Sequence, residues 1–319
     1  MSAKTADTLL PGGRDVPFAE IEVTLARLVR GGNRRKRSPA RALTATVVVV
    51  GNMDRLVAAA DALEQLGEVG VRAILISEGE HTAPMARVTE NSIAIGGLAP
   101  RFLNNAVAAL RLSSLPAAVW WRGGSLEALD GLAELADRVI LDVDAPADVW
   151  SHASGYFEQT ALTDLRWTRL TRWRSALAHM FDLPQVRDAA RSFNQLSIEA
   201  SDRDAARLFA GWLRGRLRWS SGVAIEISPA SGAAAEAPTP LTRVSLRGPK
   251  VSLSLEVKPE SACLIAALGR DDPSARVVPL GDGTLTSLIG EELGVRTRDT
   301  AFEQALVSAL EIPPLEKHQ

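Results

Sequence analysis

The feature that most constrains the fold is an alternation of short apolar runs with helix-forming segments between residues 42 and 142. Leu43-Thr-Ala-Thr-Val-Val-Val-Val50 is a continuous run rich in β-branched residues, which is typical of a strand buried on both faces. Further strand-like runs follow at residues 71–76, 92–96, 117–121 and 138–142. Strands and helices at this spacing predict a mostly parallel sheet with helices on both faces. We therefore expect a Rossmann-like α/β N-terminal domain over residues 42–160.

The pattern changes in the second half of the chain. Val251-Ser-Leu-Ser-Leu-Glu-Val257 alternates strictly between apolar and polar residues, as in a sheet with one face in water. Other strands are predicted at residues 195–200, 223–227, 241–246 and 262–266, and helices at 202–217, 285–293 and 300–310. This predicts an α+β C-terminal domain over residues 161–319. Residues 1–41 are expected to form a mobile N-terminus, a short helix and a basic loop.

The first predicted domain lacks the fingerprint of a dinucleotide site. The turn after the first strand reads Gly51-Asn-Met-Asp-Arg-Leu instead of Gly-x-Gly-x-x-Gly. No acidic residue ends the second strand at Ile76 to hold a ribose hydroxyl, although Ser77-Glu78 follows and leaves a weak adenosine site open. We predict no dinucleotide and no other cofactor.

Residues suited to catalysis are scarce. The four histidines are scattered at positions 81, 152, 179 and 318 without a metal-binding or catalytic spacing. Asp142 and Asp144 end the fifth predicted strand, where paired carboxylates could bind a metal or act as acid and base. However, Asp144-Ala-Pro-Ala fits the beginning of the next helix, with Asp144 as its cap. We predict no catalytic residues and no metal site, and so a protein that is not an enzyme.

Charge and composition limit the partners and the compartment. The formal net charge of −2 gives no general attraction to nucleic acid or to an anionic membrane. A basic cluster at residues 30–41 could contact phosphate, but it lacks interleaved aromatic residues, so a nucleic-acid adaptor is the less favoured reading. The single cysteine, Cys263, excludes an intramolecular disulfide, and no run approaches the length of a membrane span. We expect a cytoplasmic protein without a membrane or nucleic-acid partner.

Arginine and tryptophan cluster in the segment Asp164-Leu-Arg-Trp-Thr-Arg-Leu-Thr-Arg-Trp-Arg174. Read as a helix from Trp167, its apolar residues fall on one face and continue to Phe181. Arg174 lies inside this apolar stripe, so its guanidinium must reach water or meet a fixed acceptor. Arg169 belongs to the same segment.

Two other places combine the same residue types. In the helix 202–217, Arg216 projects into a stripe that contains Trp212, which suggests an Arg–Trp surface shared with the Trp167–Arg174 segment. Internal stacking within the core is an equally open alternative. Trp121 and Arg122-Gly-Gly124 follow a strand at the carboxyl edge of the first sheet, which suits a phosphorylated ligand or a protein interface. A turn arginine beside a core tryptophan is the simpler alternative.

Four blocks of sequence together resemble one family. They are Ala118-Val-Trp-Trp-Arg-Gly123, Ala136-Asp-Arg-Val-Ile-Leu-Asp142, the Asp164–Arg174 segment, and Ala210-Gly-Trp-Leu-Arg214 with Leu217-Arg-Trp219. Their order and spacing resemble the OpcA family of glucose-6-phosphate dehydrogenase assembly proteins. The resemblance implies a non-catalytic activator that binds the oligomeric dehydrogenase, promotes its active state and so supports the oxidative pentose phosphate pathway.

The candidate partner-binding residues are Trp121, Arg122, Arg169, Arg174 and Arg216. The alternative function is a sugar-phosphate- or nucleotide-binding enzyme or sensor that uses the carboxyl edge of the N-terminal sheet. That alternative requires convergent acid and base residues and a phosphate loop, and the sequence offers only Arg122-Gly-Gly124 and Asp142.

Overall fold

The computed structural model describes residues 9–32, 42–66, 70–81, 84–219, 222–231, 238–258, 262–269 and 275–313. The chain forms two compact units. The first unit contains the chain up to Ala145 together with Gly155–Thr163 and Leu285–Arg298. The second contains Pro146–Ser154, Asp164–Thr284 and the chain from Asp299 onwards.

The first unit is built on an eight-stranded sheet in the order β1-β4-β5-β3-β2-β6-β7-β8. The strands β5, β3, β2, β6 and β7 are parallel, whereas β4 and β1 extend one edge in antiparallel pairing. The five parallel strands, counted along the chain, lie in the order 3-2-1-4-5, which is the Rossmann arrangement. The predicted Rossmann-like, mostly parallel sheet is confirmed. The strands are β1 (Arg14–Pro17), β2 (Leu43–Val50), β3 (Gly70–His81), β4 (Met85–Val88), β5 (Ser92–Leu98), β6 (Ala117–Trp121), β7 (Arg138–Leu141) and β8 (Ala161–Asp164).

Eleven helices are assigned in the described part of the chain. They are α1 (Ile21–Gly32), α2 (Met53–Glu64), α3 (Leu103–Leu110), α4 (Leu126–Ala133), α5 (Ala147–Ala153), α6 (Leu165–Arg169), α7 (Thr171–Met180), α8 (Pro184–Ala189), α9 (Arg203–Leu217), α10 (Leu285–Gly294) and α11 (Thr300–Leu310). Short 3-10 turns occupy Phe18–Glu20, Pro100–Phe102 and Ser154–Tyr156. None of the described helices is long and apolar enough to cross a membrane.

Local sequence explains the central strands and helices of the first unit. Val47, Val48, Val49 and Val50 in β2 are all fully buried, as a β-branched run covered on both faces requires. Helix α2 begins after Asn52, whose side chain accepts a hydrogen bond from the backbone N–H of Arg55 at 3.1 Å. Such a cap satisfies one of the free N–H groups at a helix start.

The second unit contains a six-stranded sheet in the order β10-β9-β11-β12-β13-β14. Only the β9–β10 pair is parallel. Leu253, Leu255 and Val257 of β12 are buried while Ser252 and Glu256 are exposed, so the predicted one-sided sheet and α+β class are confirmed. The strands are β9 (Gln195–Ala200), β10 (Ala224–Pro229), β11 (Leu241–Arg247), β12 (Ser252–Lys258), β13 (Cys263–Leu268) and β14 (Arg276–Pro279).

Helices α9 and α11 approach each other closely in the second unit. A Cβ atom placed on Gly211 of α9 would lie 2.4 Å from the backbone oxygen of Ala305 and 2.7 Å from the backbone nitrogen of Ala309. Only a residue without a side chain permits this backbone-to-backbone distance.

Three features differ from the sequence prediction. The helix expected from Trp167 to Phe181 is divided at Leu170, so that α6 ends at Arg169 and α7 begins at Thr171. Helix α10, which was assigned to the C-terminal domain, lies in the first unit, because Leu288 and Ile289 bury their side chains there. Short elements with weak periodicity were also missed: β1, β4, β8, β14 and α8.

The predicted basic loop at residues 30–41 lies almost entirely outside the described residues, as does His318.

Candidate functional site

The carboxyl ends of β2 and β6 mark the point where the strand order of the first sheet reverses. β3 lies on one side of β2 and β6 on the other, so the chain leaves these neighbouring strands toward opposite halves of the sheet. Open parallel sheets bind their ligands in the crevice at this position. We call it the switch-point crevice, and it is formed by Gly51, Arg55, Glu78, Arg122–Ser125, Asp142 and Asp144.

Arg122 fills the centre of the switch-point crevice and is only 8% exposed. Its Nε lies 2.8 Å from Asp142 Oδ2, and its Nη1 donates to the backbone oxygen of Arg55 at 2.5 Å. The guanidinium lies over the Trp120 ring at 4.9 Å from the centroid. The Trp120 indole N–H is buried and meets no acceptor in the described part of the chain. Arg122 therefore covers a core tryptophan and compensates a carboxylate.

A second arginine, Arg55 in the first turn of α2, completes this network. Its Nη1 donates to the backbone oxygens of Arg122 and Asp142, both at 2.8 Å. Its Nη2 forms an ion pair with Asp144. The expectation that Asp144 caps the next helix is wrong, because α5 begins at Ala147 after Pro146 and has no side-chain cap. The carboxylate turns back to Arg55, a stronger partner than a neutral backbone N–H.

Glu78 closes the other side of the switch-point crevice. Its two carboxylate oxygens accept hydrogen bonds from the backbone N–H of Ser125 at 3.0 and 3.1 Å. Burial raises the pKa of the Glu78 carboxyl above its usual value, while the hydrogen bonds from Ser125 act in the opposite direction. The oxygens that the weak adenosine site required are thus bound to the protein's own backbone.

Of the two glycines after Arg122, Gly124 is required by a close approach, whereas Gly123 has open space around it. A Cβ atom on Gly124 would lie 2.3 Å from Glu78 Oε1 and 2.7 Å from the Trp121 ring. Both glycines have positive φ, 138° and 143°, which side-chain-bearing residues rarely adopt. The turn therefore seals the crevice against Glu78 and Trp121.

The residues of the switch-point crevice do not fit a dinucleotide. A Rossmann site needs an open glycine turn over which the pyrophosphate lies. Here a Cβ atom on Gly51 would lie 3.3 Å from Cβ of Arg122 and 3.4 Å from Cβ of Arg55, so the turn packs against the protein's own side chains. The space for phosphates is occupied by arginines that are already paired with Asp142 and Asp144.

The second candidate site is the Arg–Trp segment in the second unit. Arg174 of α7 stacks on Trp167 of α6, with its guanidinium carbon 3.5 Å from the ring centroid. Its Nη2 donates to the backbone oxygen of Trp167 at 3.3 Å and to Thr171 Oγ1 at 3.2 Å. Of the two possibilities that the sequence left for Arg174, reaching water or meeting a fixed acceptor, the structure shows the second. The turn at Leu170 brings Arg174 over the tryptophan.

Trp167 is itself held firmly from the other side. Its indole N–H donates to Asp299 Oδ2 at 2.8 Å, and its ring packs on Phe302 with centroids 5.8 Å apart. Asp299 also caps α11 through the backbone N–H groups of Ala301 and Phe302. One carboxylate therefore fixes both the tryptophan and the beginning of a helix.

A buried polar network anchors the beginning of α6. The fully buried Asp164 caps α6 at the N–H of Arg166 and accepts the indole N–H of Trp150, both at 2.8 Å. Arg166 donates through Nε to Asp202 Oδ2 at 2.9 Å, and Asp202 caps α9 through the N–H groups of Asp204 and Ala205. Arg166 is thus a structural residue that joins the beginnings of α6 and α9.

The five predicted partner-binding residues lie in different environments. Trp121 and Arg122 are buried in the first unit, at 1% and 8% exposure. Arg169 and Arg174 are half-buried and Arg216 is exposed, all in the second unit. The prediction that Arg216 projects into the apolar stripe of α9 is wrong, because Arg216 is exposed in the last turn, one turn beyond the half-exposed Trp212. Contact of any of the five with a partner stays a prediction.

The sequence analysis did not identify Arg55 as part of the switch-point crevice and considered Glu78 only for a weak adenosine site. The signal for Arg55 was present, since the Asn52 cap places it in the first turn of a helix at the sheet's carboxyl edge. Within the described residues, no group of histidine, cysteine and acidic side chains is arranged to hold a metal ion.

The fold and the crevice define a class: a Rossmann-like α/β protein, with a second α+β unit, whose switch-point crevice is filled by its own ion pairs. Residues 160–306 match a family described as the C-terminal domain of a glucose-6-phosphate dehydrogenase subunit, OpcA. Over this part of its length the chain is similar to the OpcA family.

Relatives and a solved structure are similar to the chain in different degrees. The chain is 32% identical over 128 residues to "Putative OxPP cycle protein OpcA" of Synechocystis, covering 37% of this chain and 27% of that protein. It is 30% identical over 135 residues to the protein of the same name from Nostoc punctiforme, covering 39% and 27%. The matched region thus spans about a quarter of these relatives. The transcriptional regulator Gal80p of Kluyveromyces lactis aligns with a TM-score of 0.49 at 9% identity, covering 89% of this chain and 93% of that one.

Proposed function

We propose that this chain is a non-catalytic protein that binds glucose-6-phosphate dehydrogenase and favours its assembled, active state. The observation that carries the proposal is the match of residues 160–306 to a family described by reference to that dehydrogenase. The relatives named as proteins of the OxPP cycle support the same pathway.

The geometry of the switch-point crevice supports a non-catalytic role. An enzyme on this fold would bind its cofactor and substrate where Arg55, Arg122 and the two paired aspartates now lie. Opening this position would break a buried ion pair between Arg122 and Asp142, which is strongly unfavourable when one charge is left without compensation.

Three of the five candidate residues fit a partner-binding surface better than the other two. Arg169, Arg174 and Arg216 lie within residues 160–306 and reach the surface at least in part. Arginine and tryptophan are enriched among the residues that dominate binding energy at interfaces. The stacking of Arg174 on Trp167 fixes the guanidinium before binding, which reduces the side-chain entropy lost on association. We assign Trp121 and Arg122 to holding the crevice together instead.

Activation by such a protein has a simple thermodynamic requirement. A partner shifts a conformational or assembly equilibrium only by the difference in its affinity for the two states. The chain must therefore bind the active oligomer of the dehydrogenase more tightly than the inactive state, without contributing a reacting group.

The test compares charge-reversed variants for binding to the dehydrogenase from the same cell. We expect Arg174→Glu and Arg216→Glu to weaken binding about 30-fold each, since an interface arginine of this kind contributes about 2 kcal/mol. Arg27→Glu is the matched control, because Arg27 is an exposed helical arginine of α1 outside residues 160–306. Light scattering after size-exclusion chromatography gives the mass of the complex, and circular dichroism verifies that each variant is folded.

Full binding by both folded variants would contradict the assignment of this surface. Absence of any complex with the unmodified chain, at concentrations well above those in the cell, would contradict the proposed partner itself.

A further inference from the structure

The two faces of the six-stranded sheet in the second unit differ in burial. Helix α9 packs on β9 and β10, and helix α7 packs on β12, β13 and β14. The residues that point toward these helices are buried, for example Ile198, Val244 and Leu255. The residues that alternate with them in β9, β11 and β12 point to the opposite face and are half-buried or exposed. We call this second surface the open face; its central residues are Ser197, Glu199, Arg243, Ser245, Ser254 and Glu256.

A row of charged side chains crosses the open face from strand to strand. Glu199 of β9, Arg243 of β11 and Glu256 of β12 are neighbours in the register of the sheet. Arg243 lies between the two acids, with its guanidinium nitrogens 2.8 Å from Glu256 Oε1 and 3.7 Å from Glu199 Oε1. The side chains of Arg243, Glu199 and Glu256 are 45%, 36% and 53% exposed. Exposed ion pairs of this kind add little to the stability of one chain, and their charges remain accessible to a second surface.

The centre of the open face is flat. Ser197, Ser245 and Ser254 form the row next to the charged one, and all three are half-buried. Side chains this short allow a second sheet to approach to the ordinary distance of about 10 Å between packed sheets. The charged row continues with two apolar residues, Ile265 of β13 and Val277 of β14, and Val277 is 63% exposed. A second sheet on this face would therefore also remove apolar surface from water.

The register of β11 and β12 makes the open face complementary to itself. Arg243 lies directly opposite Glu256, and Ser245 lies directly opposite Ser254. A two-fold axis that runs parallel to these strands, above the line between them, places β12 of a second copy over β11 of the first. Arg243 of each copy then faces Glu256 of the other, and Ser245 faces Ser254. Such a contact is isologous, because the same patch is used on both copies.

We infer that the open face is the interface between two copies of this chain, which pack face to face through their six-stranded sheets. Aligned packing of two sheets is one of the two common arrangements of sheet on sheet. A second copy suits this face better than a strongly charged partner, because its described residues carry equal numbers of acidic and basic side chains. The acids are Glu199, Glu226 and Glu256, and the bases are Arg243, Arg247 and Lys258.

The test measures the mass of the full chain alone, by light scattering after size-exclusion chromatography over a dilution series. Arg243→Glu and Glu256→Arg each replace the two opposite-charge contacts of the interface by two like-charge contacts. We expect each substitution to raise the Kd of the dimer about 100-fold. Arg214→Glu is the matched control, because Arg214 lies on α9 and pairs with Glu311 in an ion pair of similar exposure, 31% and 59%. It should leave the Kd unchanged.

An equimolar mixture of the two charge-reversed variants separates contact between copies from contact within a chain. Inside each variant, positions 243 and 256 carry the same charge, so the ion pair within the chain stays broken. Between one copy of each variant, both facing contacts are again opposite in charge. We expect the mixture to regain the mass of a dimer, whereas each variant alone stays mainly monomeric. Circular dichroism verifies folding, and Ser245→Arg, which puts a long charged side chain between the layers, is the second disrupting variant if a reversal does not fold.

The inference is overturned if the unmodified chain is a monomer at every concentration, if the folded disrupting variants dimerise as the unmodified chain does, or if the mixture stays monomeric. A monomeric chain whose Arg243→Glu variant binds the dehydrogenase less tightly would assign the open face to that partner instead of a second copy. The mass measurements contain no dehydrogenase, so their failure is distinct from failure of the proposed function.

Discussion

Replacing Gly211 by alanine has two opposing effects on stability, one from helix propensity and one from tertiary packing. In an exposed helix interior this change stabilises by about 1 kcal/mol, because alanine loses less backbone entropy on folding. At Gly211 the new Cβ atom would lie 2.4 Å from the backbone oxygen of Ala305, whereas ordinary contact begins at 3.4 Å. Helix α11 would have to retreat from α9 by about 1 Å to restore a normal contact.

The sign of the effect follows from what the methyl group meets. Overpacking costs about 1–3 kcal/mol, and a backbone obstacle cannot rotate away, so we use the upper value. Subtracting the propensity gain of about 1 kcal/mol leaves a net destabilisation of about 2 kcal/mol. Gly215 is the matched control on the same helix, because its Cβ atom would have Ser308 Oγ at 4.0 Å as its nearest neighbour. Gly215→Ala should stabilise by up to about 1 kcal/mol.

Native-state hydrogen exchange of the backbone amides in α9 and α11 measures how each substitution changes the stability of the second unit, where both helices lie. We expect exchange through opening of these helices to become about 30-fold faster in Gly211→Ala and slightly slower in Gly215→Ala. Equal protection in the two variants would refute the argument that backbone contact at Gly211 controls the packing of α9 on α11.

Three other predictions concern the crevice and the buried network. In urea unfolding, Gly124→Ala should destabilise the first unit by about 2 kcal/mol more than Gly123→Ala. Both glycines have positive φ, but only Gly124 faces Glu78 and Trp121 at contact distance. Equal losses of stability would assign the cost to backbone strain alone. Burial raises the pKa of the Glu78 carboxyl in the folded protein, so this group makes the free energy of unfolding fall as pH rises from its ordinary pKa through the raised one. Glu78→Gln should remove that decline. Identical dependence of stability on pH in the two proteins would contradict a raised pKa at Glu78. Trp150→Phe should cost about 1–3 kcal/mol in the same assay, since it removes a donor from the fully buried Asp164, and an unchanged unfolding midpoint would show that this hydrogen bond is replaced.

The sequence predicted the fold where periodicity is strong. Successive side chains of a strand point to opposite faces, so the continuous valine run of β2 identifies a strand buried on both faces and the alternation of β12 identifies one buried on a single face. The four-residue strands β1, β4 and β14 and the six-residue helix α8 are too short for a period to emerge. Their existence depends on neighbouring strands and helices that are distant in sequence.

The candidate sites show a different limit. Arg174 could be identified because its helical position conflicts with its charge, and the structure resolves the conflict by stacking it on Trp167. The ion pair between Arg122 and Asp142 could not be identified, because it joins the ends of two strands separated by a complete helix. Likewise, no local pattern shows that the glycine turn after Trp121 packs against Glu78.

The most direct test of the account is the activity of glucose-6-phosphate dehydrogenase from the same cell across a titration of this chain, with light scattering on the same mixtures. The account predicts a saturable rise in activity that ends at the stoichiometry of a co-migrating complex, with no rise in mixtures that lack the dehydrogenase. A flat activity curve without a complex would contradict the proposed function and reduce the similarity to the OpcA family to one of sequence alone.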